Sequence, residues 1–138
     1  MDQASQSSIL IVEDDADNLL ITLELLRRHL GAQRLRGLPT GDRLLELMES
    51  DPEFQPELIL LDIDLPGADG YEVLAQLRRH PHLGATRVIA FTTNITSQSV
   101  ARARAAGFNG FIGKPMDHRR FPEQVQRLLN GIAVWEAR

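Results

Sequence analysis

The sequence has no cysteine, which rules out disulfides and thiolate metal sites and suits a reducing compartment. It has no long apolar run either. The longest are about four residues, against the roughly 20 that a membrane helix needs. Basic residues are not in excess. The formal net charge is −4, so bulk electrostatics favour neither nucleic acid nor an anionic membrane as a partner. Met1 to Ser8 lacks both a basic start and an apolar stretch, which excludes a secretory signal and reads as a short disordered leader. Internal repeats, low-complexity tracts and linkers are missing as well. The expected location is the cytoplasm.

What is present is an ordinary globular balance. The chain has 138 residues, 43% hydrophobic and 25% charged, enough for one domain with its own core. Short apolar runs alternate with longer amphipathic ones. Ile9-Leu10-Ile11-Val12 stops at Glu13-Asp14-Asp15, and Leu58-Ile59-Leu60-Leu61 stops at Asp62. Val88 to Phe91 stops at Thr92, and Phe108 to Ile112 stops before Lys114-Pro115. Continuous apolar runs of this length suit strands covered on both faces. A weaker strand is expected near Gln33 to Leu38, where Pro39 suits an edge.

Helical spacing appears in between. Leu19, Leu20, Leu23, Leu26 and Leu30 precede Gly31, a natural stop. Leu44, Leu45, Leu47 and Met48 follow Thr40, a plausible cap, and end before Pro52. Val73, Leu74 and Leu77 form a third helical face, Val100 to Ala106 a fourth helix closed by Gly107, and Phe121, Val125, Leu128 and Leu129 a fifth. Asp15 and Asp17 sit where the first helix starts, and capping or dipole stabilisation explains them. The alternation predicts an α/β fold, a doubly wound five-stranded parallel sheet with helices on both faces; the flavodoxin-like form of such sheets has the order 2-1-3-4-5, which is the order expected. Residues 9–130 form the domain, and 131–138 a C-terminal tail.

In such sheets ligands bind beyond the carboxyl ends of the strands. Strands one and three are neighbours in this order, so Glu13, Asp14 and Asp62 share one crevice. At about 4 Å and an effective dielectric near 20, each like pair costs about 4 kcal/mol. Such a cluster persists only with a proton, a lysine or a cation in it. All-oxygen donors suit Mg²⁺, and a cation there lets a phosphoryl group approach. Asp62 would be the nucleophile, with Lys114 and the Thr92 hydroxyl on phosphoryl oxygens.

Ile9-Leu-Ile-Val-Glu-Asp-Asp15, Leu58-Ile-Leu-Leu-Asp-Ile-Asp-Leu-Pro-Gly67, Ala90-Phe-Thr-Thr93 and Phe111-Ile-Gly-Lys-Pro115 resemble the receiver domains of two-component response regulators. Asp62 and Thr92 are 30 residues apart, and Thr92 and Lys114 22, which fits that family. The resemblance covers residues 9–130. It implies that Asp62 is the phosphoacceptor and that Mg²⁺ is held by Asp14, Asp62 and the backbone carbonyl of Asp64. Glu13 would act through a metal-bound water. It further implies a switch made of Thr92 and Phe111, and a Lys114-Pro115 bond that is usually cis. Thr93 and the acidic Asp64 depart from the common pattern and bear on phosphoryl lifetime.

The resemblance thus implies a single-domain response regulator rather than an enzyme: a phosphoacceptor that supports its own phosphotransfer and autodephosphorylation. Its donor would be a histidine kinase or phosphotransfer protein. The four histidines, His29, His80, His82 and His118, show no ligand spacing and read as surface residues. The downstream partner would be a protein meeting the face of the fourth helix, fifth strand and fifth helix, where Arg102 and Arg104 lie. No DNA-binding domain is expected after residue 131. A monomer or a phosphorylation-dependent homodimer is expected, and Trp135 is expected to pack on its own domain. Two competitors are weaker: a phosphorylation-independent interaction module on the same fold, and a phosphatase of the haloacid-dehalogenase type suggested by Asp62-Ile-Asp64.

Overall fold

The structure, a computed structural model, describes residues 8–31, 34–65, 69–81, 83–84 and 86–136. Residues 1–7 of the expected leader, Gln33, Pro66, Gly67, His82, residues 137–138 of the tail and the Leu45 side chain lie outside the described residues. The elements in chain order are β1 (Ser8–Val12), α1 (Ala16–Leu30), β2 (Arg34–Leu38), α2 (Asp42–Ser50), β3 (Leu58–Leu61) and α3 (Gly70–Arg79). These are followed by β4 (Arg87–Thr92), α4 (Ser97–Ala106), β5 (Gly110–Gly113), α5 (Arg120–Leu129) and β6 (Trp135–Glu136).

The strands form one sheet in the order β2-β1-β3-β4-β5-β6, and every pair is parallel. The expected order of the first five is therefore observed, but the sheet has six strands, not five. The sixth comes from the region read as a tail. Ile132-Ala133-Val134-Trp135 is apolar enough to return to the sheet, and the outer edge of β5 offers backbone groups that need partners. Ser8, placed in the leader by sequence, opens β1 and is buried. The weak apolar pattern of β2 reflects its place: it is an edge strand with half-exposed residues.

Strand residues point alternately to the two faces, and the core divides accordingly. Leu10, Val12, Ile59, Leu61, Val88, Ala90 and Phe111 face α2, α3 and α4. Ile9, Ile11, Leu58, Leu60, Ile89, Phe91 and Ile112 face α1 and α5. The inner strands bury both faces, which is why their sequences read as unbroken apolar runs.

Helix ends follow local chemistry. The Asp15 side chain accepts the Asn18 N–H at 2.9 Å, capping α1, and Gly31 closes it in the left-handed region at φ 65°. Thr40 does not cap α2: Gly41 holds that position, with no side-chain cap bond. Gly41 is chosen by space, since a Cβ there would meet Val73 at 2.5 Å. On α1, Leu19, Leu23, Leu26 and Leu30 turn towards the core, but Leu20 is 67% exposed. The stripe that meets α5 and the sheet is too narrow to include it.

Gly70 packs directly against the loop that carries Asp62. A Cβ at this position would lie 2.6 Å from the Ile63 Cα and 2.9 Å from the Asp62 carbonyl oxygen. Both are backbone atoms, so the loop carrying Asp62 would have to move. Gly70→Ala is expected to cost about 1–3 kcal/mol of stability, read from urea melts, and to weaken Mg²⁺ binding together with it. Unchanged stability and metal affinity would show that the loop yields freely.

Candidate functional site

Parallel pairing in register brings the carboxyl ends of β1 and β3 together. Ile9 pairs with Leu58 and Val12 with Leu61. The chain leaves both strands at the same level, since the Asp62 N–H donates to the Val12 carbonyl at 3.1 Å. Glu13, Asp14 and Asp62 then present carboxylate oxygens within 4.8 Å of one another. Glu13 and Asp62 are buried and Asp14 is exposed, so the cluster has a closed wall and an open side.

Lys114 arrives from the end of β5, fixed by its own N–H on the Thr92 carbonyl at 2.8 Å. Its bond to Pro115 is cis. Its ammonium donates to Glu13 Oε1 at 2.5 Å and to Asp62 Oδ2 at 3.0 Å. Burial alone would lower the pKa of this ammonium; the two carboxylates outweigh burial and hold it above the usual lysine value. For Glu13 burial dominates and raises its pKa, although Lys114 pulls the other way. One buried cation thus faces two buried anions, with a third carboxylate at the rim. The site carries a surplus of negative charge, and its donors are all hard oxygens. That is the environment that suits Mg²⁺.

The Asp64 backbone N–H donates to Asp62 Oδ1 at 2.9 Å, folding the turn after β3 back onto the Asp62 carboxylate. Thr92 is fully buried at the end of β4. Its hydroxyl donates to Asp64 Oδ2 at 3.0 Å and accepts the Asn94 N–H at 3.2 Å. This contact between Thr92 and the Asp64 carboxylate has no signal in the sequence. Only the pairing of β3 with β4 sets the two turns side by side, and no sequence interval reports it. Phe111 is fully buried on the α2-α3-α4 face.

A family model described as the response regulator receiver domain matches residues 9–126. The chain belongs to this family. It is 33% identical over 122 residues to the polar-differentiation response regulator DivK of Brucella ovis, covering 88% of this chain and 95% of that protein. It is 29% identical over 130 residues to the probable methanogenesis regulatory protein FilR2 of Methanothrix harundinacea, covering 92% and 84% respectively. Among solved structures, the Mn²⁺-bound form of the response regulator Rcp1 superposes with a TM-score of 0.71 at 28% identity, covering 89% of this chain and 91% of that one.

The receiver domain's surroundings bear on access. A cavity of about 150 Å³ lies beside Lys114, walled by Ile21, Thr93, Met116 and the exposed His118 among others. The larger cavity, about 520 Å³, is elsewhere. It lies at the opposite end of the sheet, around Arg34, the Arg36–Asp51 ion pair and Phe54. The acidic site, not cavity size, marks the chemistry here. Arg102 and Arg104, expected on the partner face, are exposed but stacked: Arg102 lies 4.1 Å from the Tyr71 ring centroid and Arg104 4.3 Å from that of Trp135. No helix among the described residues is long and apolar enough to cross a membrane.

Proposed function

We propose that the receiver domain accepts a phosphoryl group on Asp62 from the phosphohistidine of a kinase or phosphotransfer protein. It signals to a protein partner by a conformational switch. The observation that carries this reading is the Glu13–Asp14–Asp62 cluster with the Lys114 ammonium seated between two of its members.

An Asp62 oxygen attacks the phosphorus of the phosphohistidine, the phosphorus–nitrogen bond breaks, and its electron pair returns to the imidazole, which takes up a proton. Glu13, Asp14, Asp62 and the Asp64 carbonyl are the groups that would hold Mg²⁺. When bound, Mg²⁺ supplies positive charge against the incoming phosphoryl oxygens. Lys114 pairs with one phosphoryl oxygen, and Thr92 with another. To do so the Thr92 hydroxyl must leave Asp64, and Phe111 moves into the space that Thr92 vacates. The same site, with water as the acceptor, returns the protein to its resting state. The chain is thus a phosphoacceptor assisting its own turnover, not an enzyme acting on diffusible substrates. The outcome is read on the face formed by α4, β5 and α5.

Beryllium fluoride with Mg²⁺ imitates the bound phosphoryl group. At about 100 times its Kd it should stabilise the protein by about 2.7 kcal/mol, raising the melting temperature by several degrees. Mg²⁺ alone should raise it by less, through binding the acidic cluster, and beryllium fluoride alone should not raise it. An unchanged melting temperature with both would count against a phosphoryl site at Asp62.

A further inference from the structure

The segment after α5 is left unused by the function above, yet it is firmly seated. Val134 is 1% exposed, and its carbonyl accepts the Phe111 N–H at 2.8 Å. Trp135 pairs with Phe111 and Glu136 with Ile112, adding a parallel strand to the outer edge of β5. The Trp135 ring lies beneath the Arg104 guanidinium of α4. The Glu136 carboxylate holds Arg120 and Arg127 of α5, the latter at 3.4 Å. Gly110 permits this approach, since a Cβ there would lie 2.7 Å from the Val134 carbonyl oxygen. Residues 134–136 therefore occupy the β5 edge and satisfy arginines on both flanking helices.

Val134 is anchored in the core, but the contacts beyond it are peripheral. The strand is two residues long, and its ion pairs are to arginines whose side chains are about half exposed. Short edge elements held this way exchange with open forms well before the domain unfolds. Opening would uncover a backbone edge able to accept a strand, a ring-binding guanidinium at Arg104, and two further cations at Arg120 and Arg127. All of these features select one chemistry.

We propose that the α4-β5-α5 face is a strand-accepting docking surface, with Val134-Trp135-Glu136 as its built-in occupant. Its external partner is an extended peptide segment bearing an aromatic side chain followed by an acidic one. Such a segment adds to β5 as a parallel strand once β6 has left. Resting on the phosphoryl reading above, the same geometry gives the release a trigger. Phe111, the switch aromatic, is the residue whose N–H holds Val134 and whose register partner is Trp135, so a shift of Phe111 loosens β6.

The test uses the full chain and a fluorescent peptide of the sequence of residues 131–138. If the occupant masks the surface, the peptide should bind Trp135→Ala about tenfold more tightly than wild type, because the competent state is no longer held closed in cis. Glu136→Lys, which repels both α5 arginines while leaving the packing of Trp135, should show the same gain if Trp135→Ala fails to fold. Adding Arg104→Ala to the Glu136→Lys chain should remove it. Equal binding to wild type and both variants, or none, would overturn the surface. So would a dimer of either variant in sedimentation that leaves no peptide binding, which would assign the face to a second copy.

Amide exchange separates the trigger from the reading on which it rests. With beryllium fluoride and Mg²⁺, resonances around Asp62 should shift and the Phe111 amide should exchange about tenfold faster. Shifts at Asp62 with Phe111 unchanged would overturn the trigger alone. No shift at Asp62 would overturn the phosphoryl reading, and the peptide experiment would still judge the docking surface.

Discussion

Asp62→Asn should abolish phosphoryl uptake from a small phosphodonor in the presence of Mg²⁺, lowering the rate by at least about 10³-fold. The substitution keeps the shape of the side chain. An amide oxygen can still accept the Asp64 N–H that Asp62 Oδ1 accepts now, so the turn after β3 should stay folded. What would be lost is the anionic oxygen proposed to attack phosphorus, along with one of the charges of the acidic cluster. The neighbouring acids do not replace it. Asp14 stands at the exposed rim, and the Asp64 carboxylate is engaged by the Thr92 hydroxyl. Intact-mass measurement and phosphate-affinity electrophoresis read the outcome. Equal modification of both proteins would remove Asp62 from the role.

Lys114→Met should act in two directions. In the metal-free protein it leaves Glu13 and Asp62, which are 2% and 6% exposed, without their shared cation. Breaking one side of a buried ion pair costs about 3 kcal/mol, and proton uptake by Glu13, whose pKa is already raised, limits the loss. Mg²⁺ binding should instead tighten by about tenfold, because one positive charge no longer competes for the same oxygens. Urea melts with chelator and a Mg²⁺ titration measure the two effects. A variant as stable as wild type, or one binding Mg²⁺ more weakly, would contradict the picture of lysine and metal as alternative cations. The pH dependence has a definite sign. The Lys114 pKa is raised in the fold, so its stabilisation is complete below the ordinary value of 10.5 and fades as pH rises through the higher folded value. Wild type and variant should therefore differ across the neutral range and converge only in strong alkali.

Much of the architecture is legible in the chain because the relevant signals are local. Apolar runs of four residues ending in acids specify buried strands with polar carboxyl ends. Gly31 and Gly107 mark helix ends through a left-handed backbone that other residues resist. Glu13, Asp14 and Asp62 can be grouped from the chain alone, because a parallel sheet with a switch in strand order leaves few places for its loops. Thr40 and Leu20 show the opposite case. Each fits a local rule for a cap or a core position, and each is overruled by packing, through Val73 against Gly41 and through the narrow buried stripe of α1.

The sequence by itself determined the β/α alternation, family membership and the set of residues at the acidic rim. These depend on periodicity, on turn chemistry and on residues placed one step beyond strands, all of which are written along the chain. Only the tertiary structure decided how the parts are tied together. The Thr92 proton goes to Asp64, Gly70 sits against the backbone of Ile63 and Asp62, and residues 134–136 close the β5 edge between the arginines of α4 and α5. Such contacts join residues that no helical or strand period relates, and their energies depend on small differences in distance. Close packing fixes those distances, and no local pattern encodes them.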